Sequence, residues 1–237
     1  DVPAQTGDTE QSPTPIISIE NLDNYIHDNK VSVKDLYLQI SSMGNEKPDI
    51  VEGNDLPDFN PDDEYLQEIK SPIFYAVQKN INIQTGQPTI LDFDMQRISQ
   101  RINIVFNIRT EGNIKREDLA APIIELSGAC GRFNIADACL DTTRLYRMAH
   151  QVQPDEFTQT GEGTYRCVVH FHTLGVIPSA AKGHLNGPGI LQVALQVSTP
   201  QLDSSGTPVV DEEGNPVKNS RYIYGAINPY DELTAAQ

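Results

Sequence analysis

His170 and His172 stand two apart in the run TYRCVVHFHTL (164–174). Successive side chains of a strand point to opposite faces, so both imidazoles fall on one side. With a third ligand such as His184, they have the residue types of a zinc site. No carboxylate lies near them in sequence to act as a general base. The plainer reading is hydrogen bonding or packing on a half-solvated strand face. Two acidic clusters, Asp58, Asp62, Asp63 and Glu64 and then Asp211, Glu212 and Glu213, offer oxygens that could hold calcium. Neither has the EF-hand order of alternate ligands, central Gly and distal Glu. Ser127, in LSGAC, lacks the G-x-S-x-G frame of a nucleophile elbow. There is no P-loop and no G-x-G-x-x-G. Cys130, Cys139 and Cys167 form no CxxC pair, which excludes a zinc ribbon or a thioredoxin-type motif. Cys130 and Cys139 flank GRFNIADA, a hairpin candidate, and could be bridged across it. The alternative is three buried thiols acting as small apolar side chains. The expectation is a chain with no catalytic residue and no cofactor.

The elements that carry these residues read as strands. In residues 95–128, Ile102, Ile104, Phe106 and Ile108 alternate with Asn103, Val105, Asn107 and Arg109, the period-two signature of a half-buried strand. A polar crossover (111–118) leads to a second strand over 122–126, expected to stop at Ser127-Gly128. Further strands are expected over 16–19, 31–41, 73–83, 89–93, 164–174, 190–198 and 221–227. A short helical turn is expected over 95–100, and 143–152 reads equally as a strand or a short helix. Residues 203–218 carry two turn signals, Ser205-Gly206 and Glu213-Gly214-Asn215-Pro216, and read as a protruding hairpin. Short strands with regular turn punctuation predict an all-β, antiparallel sandwich of Greek-key type with few helical turns. The expected organisation is a flexible leader (1–15), a short acidic β region or partial first sandwich (16–70), and a C-terminal sandwich (71–237).

The chain has 237 residues, 38% apolar, with no Trp and a formal net charge of −16. Residues 1–64 hold 15 acidic and 3 basic side chains, whereas 95–150 hold 8 basic and 6 acidic. Such a field repels phosphate backbones and anionic lipid, so nucleic acid is an unexpected partner. No apolar run approaches the roughly 20 residues that span a bilayer. The chain begins at Asp1, which reads as a mature or trimmed terminus.

The order of strands and small motifs resembles the fimbrillin-like proteins of Bacteroidetes, in their anchor or accessory-subunit branch. The residues that carry the resemblance are Pro72-Ile73-Phe74-Tyr75, 95–109, Ile124-Glu125-Leu126-Ser127-Gly128, Arg132-Phe133-Asn134-Ile135, 170–175 (HFHTLG) and 191–197. It covers about residues 70–230. The resemblance implies a transthyretin-like sandwich, exported as a lipoprotein to the outer surface, that assembles into or anchors fimbriae by strand exchange with other subunits. The lipid-bearing Cys of such proteins would precede Asp1. Asp141-Thr142-Thr143 resembles the short O-glycosylation sequon of that phylum, with Thr142 as acceptor. The last strand, with Arg221, Tyr222, Ile223 and Tyr224, is the expected assembly strand. The alternative is a surface lipoprotein that binds carbohydrate or host protein through its Tyr residues and the 203–218 hairpin without polymerising.

Overall fold

The computed structural model describes residues 16–27, 32–43, 64–112, 114–153 and 155–235. Strand β1 (Ile17–Glu20) is followed by a short helix α1 (Leu22–His27), then β2 (Tyr37–Ile40), β3 (Phe74–Tyr75) and β4 (Gln96–Arg97). Next come β5 (Gln100–Arg109), β6 (Ile123–Cys130), β7 (Arg132–Asn134), β8 (Cys139–Leu140) and β9 (Leu145–Gln151). The chain ends through β10 (Phe157–Gly161), β11 (Thr164–Thr173), β12 (Leu191–Pro200), β13 (Lys218–Ile227) and a helix α2 (Tyr230–Ala235).

The fold is an all-β antiparallel sandwich. One sheet has the order β10-β11-β5 and the other β13-β12-β6-β9. The polar crossover after β5 carries the chain from the first sheet to the second, as its composition predicts. Alternation fixes which faces meet. In β5–β11 the pairs Phe171↔Ile102, Val169↔Ile104, Cys167↔Phe106 and Tyr165↔Ile108 turn inward. They share one core with Ile124 and Leu126 of β6, Met148 of β9 and Leu191, Leu195 and Val197 of β12. A further sheet, β1-β2-β7-β8, draws its strands from the N-terminal part and the middle of the sequence and adds Ile40 and Phe133 to that core. Arg132 joins its parts: it pairs with Glu20 at 2.6 Å and Asp141 at 2.8 Å and lies 4.1 Å over the Tyr37 ring.

Several local expectations are corrected. β6 does not stop at Ser127-Gly128 but runs on to Cys130 through a bulge between Ser127 and Ala129. Gly128 sits there at φ +81°, and a Cβ would lie 2.6 Å from the Gly189 backbone nitrogen, so only glycine fits. Ser127 is fixed by the same device, its Oγ donating to the Gly187 carbonyl at 2.6 Å. Residues 95–100 are not a helical turn, because Gln96–Arg97 pairs antiparallel with Phe74–Tyr75. The strand expected over 73–83 shortens to those two residues, and 89–93 forms no ladder. Residues 143–152 resolve as strand β9, and the polar tail contains α2, which buries Leu233. The Cys130–Cys139 bridge is not formed: both thiols are free. The hairpin between them exists as β7–β8, but its register sets Cys139 against Asn134, while Cys130 pairs with Leu145 in the other sheet.

Candidate functional site

The residues first suspected of chemistry are occupied by structure. His170 Nδ1 lies 2.7 Å from Asn103 Oδ1, its cross-strand neighbour. His172 is buried, with Nε2 at 3.1 Å from Ser99 Oγ and 3.4 Å from an Arg97 guanidinium nitrogen. Burial, then Arg97 and Arg101, hold its pKa below the usual imidazole value. The ring is therefore neutral, but a guanidinium already occupies the place a cation would take. The His184 carbonyl accepts from Asn228 Nδ2 at 2.7 Å. Among the described residues no three His, Cys, Asp or Glu come together to hold a metal.

The acidic clusters resolve similarly. Asp211 Oδ1 accepts the backbone N–H groups of Asn215 at 2.8 Å and Glu213 at 3.0 Å, closing a turn. Those bonds, led by Asn215, depress its pKa. Glu64 pairs with Arg144 and accepts from Ser42. Asp58, Asp62 and Asp63 lie outside the described residues. Burial pushes the Cys130 and Cys167 thiols up to about 11, with Asp141 adding to the effect at Cys130. Neither is a nucleophile near neutral pH. Thr142 is exposed on the loop after β8, beside an Asp141 carboxylate that accepts from the Thr143 amide at 2.9 Å.

One feature found from sequence only in part is a groove along the side of the sandwich where β5 and β13 lie. These ten-residue strands end their respective sheets. Ile102, Ile104, Phe106 and Ile108 form one wall, and Val193, Leu195, Ile223 and Ile227 form the other. Between them lies an open cavity of about 1240 Å³. Glycine at position 225, opposite Val193, adds no side chain to fill it. Leu119 and Ile114 lie at one end, and Leu233 of α2 at the other. Arg97, Arg101, Arg109 and Arg221 stand around the rim. At the other end of the larger sheet the β9 edge is covered: Tyr65 bridges Arg147 of β9, and the Leu66 amide donates to the Arg147 carbonyl at 2.8 Å.

The predicted assembly strand is one wall of this groove. Arg221 and Ile223 face into it, whereas Tyr222 and Tyr224 alternate with them and stack on each other at 6.0 Å, Tyr224 still reaching the groove's lining. Along β5, among the described residues, no strand pairs on the side away from β11. That edge offers a row of backbone donors and acceptors above an apolar floor, the arrangement that accepts another strand. Compared with protein-family models, curated proteins and solved structures, the chain has no match in any of the three.

Proposed function

We propose that this chain is a non-enzymatic cell-surface subunit or anchor of a fimbria, and that its groove receives a β-strand from another subunit. The observation that carries this reading is the combination of a β5 edge that no strand among the described residues pairs and the 1240 Å³ apolar groove beneath it. A monomer that leaves such a stripe of aliphatic side chains in water forgoes about 25 cal/mol for every Å² left uncovered. An inserted strand covers the stripe and satisfies the edge in one step. In this reading the chain is exported to the outer membrane and held by a lipid anchor outside this sequence, it binds no nucleic acid, and the exposed Thr142 is open to O-glycosylation.

The test is mass spectrometry of fibres sheared from the source bacterium, with the stripped outer membrane beside them. Ile223 is 47% exposed, so Ile223→Asp places a carboxylate in the groove without disturbing the core. The native chain is expected in the fibres or at their membrane base, and the variant is expected to fold yet be lost from them. Native-like incorporation of the variant, or absence of the native chain from both fractions of a fibre-bearing cell, refutes the proposal.

A further inference from the structure

Every residue from 77 to 97 is exposed. The stretch is an arm that leaves the molecule at β3 and returns at β4, turning at Gly86 (φ +81°). Its base is anchored, since Tyr75 Oη donates to the Ile135 carbonyl at 2.5 Å. Beyond the base, its large apolar side chains stand in solvent: Ile83 is 77% exposed, Ile90 83%, Phe93 53% and Met95 58%. Large apolar side chains left exposed along one segment mark an interaction surface. The returning limb, TILDFDM (89–95), alternates Leu91, Phe93 and Met95 with Asp92 and Asp94. As a strand it has one apolar face and a second face that carries both aspartates together with Ile90.

We propose that the 89–95 limb of one copy lies along β5 of a second copy, with Leu91, Phe93 and Met95 in its groove. The inference rests on the reading of the groove as a strand acceptor and names the donor. Three observations select it. Pairing in a sheet places alternate donor residues over Ile102–Ile108 and the others beside the outer face of β5, which carries Arg101 and Arg109. One of Asp92 and Asp94 then meets Arg101 or Arg109, which stand near opposite ends of β5, while the apolar residues meet the groove. The limb, at seven residues, fits within the ten-residue edge of β5. Folding back onto its own groove would break the base of the arm. Only Ile98 and Ser99 separate β4 from β5, and both are tied to Ile73: the Ile98 amide donates to the Ile73 carbonyl at 3.0 Å, and Ser99 Oγ accepts the Ile73 amide at 2.9 Å. Donor and acceptor are different patches of one chain, so the contact is head-to-tail and can propagate.

The test uses the full chain carrying Cys139→Ser, which removes the exposed thiol and leaves Cys130 and Cys167 buried. Into this background go Phe93→Cys in one preparation and Ile223→Cys in another, both at exposed positions. On mixing with a short bis-maleimide, a cross-linked heterodimer is expected, with neither variant linking alone. Phe93→Asp is expected to weaken self-association about 30-fold or more, the loss typical of an aromatic anchor. No heterodimer, linkage of the Phe93→Cys chain to itself, or an intramolecular link when both cysteines are in one chain overturns the inference. If linkage fails while Ile223→Asp still blocks entry into fibres, the groove takes its strand from elsewhere and only the donor assignment falls. If linkage succeeds but the chain is absent from fibres, the arm–groove contact stands and the fimbrial reading falls.

Discussion

His172 shows how a residue with metal-ligand chemistry becomes a determinant of stability. Its ring is buried against Ser99 and Arg97, and its pKa is depressed below 6.5 by burial first and by the two arginines after it. In the unfolded chain the ring takes up a proton near pH 6.5. The folded state does so only at lower pH, so below that point the unfolded state binds more protons and stability falls with pH. The contribution is whole above pH 6.5 and is lost as pH drops through the folded pKa. Glu68 has the opposite sign: burial raises its pKa, so its contribution is present at low pH and lost as pH rises. A variant comparison separates the two. The urea midpoint of the native chain should fall more steeply between pH 7 and 5.5 than that of His172→Gln, which keeps an amide for Ser99. Parallel profiles would show that the imidazole does not carry the slope.

Strand β6 is the element where reading and structure part most instructively. β5 and β11 are legible in sequence because one face meets the core and the other meets water, so apolar and polar residues alternate. β6 is buried on both faces at nearly every position, the outer one partly under the chain at Tyr65 and Leu66, so no alternation survives. Ser127-Gly128 then looks like a stop, although it is a bulge inside a continuous strand. The cost of filling that bulge is testable. Gly128→Ala adds a strained φ and drives a methyl into the backbone at Gly189, and should destabilise the chain by about 3 kcal/mol. Gly86→Ala has the same φ but open space around it, and should cost about 1 kcal/mol. Equal urea midpoints for the two variants would remove the steric argument. The groove was half legible for a related reason. The run RYIYGAI marks a strand, but both its faces carry large side chains, and only the register with β12 decides that Ile223 rather than Tyr222 faces inward. Helix α2 gave no signal because a single residue, Leu233, anchors it.

At the scale of the whole molecule, charge sets the conditions under which copies of the chain can meet. Each copy carries a formal net charge of −16, so two approaching copies repel over any distance that solvent does not screen. The arm–groove contact adds only a local attraction, a carboxylate of the limb against an arginine of β5, superimposed on that field. Screening reaches about 30 Å at 0.01 M salt and about 10 Å at 0.1 M. Added salt therefore removes the long-range repulsion between bodies before it removes attraction between groups in contact, which are partly shielded from solvent. The burial of Leu91, Phe93 and Met95 against the groove does not depend on screening of charge. Self-association of the purified chain should accordingly strengthen, not weaken, as sodium chloride rises from 10 to 150 mM. Sedimentation velocity across that range would read it directly, with Phe93→Asp as the control that should stay monomeric throughout. Association that falls with salt would mean that ion pairs, rather than burial of the apolar limb, hold the copies together.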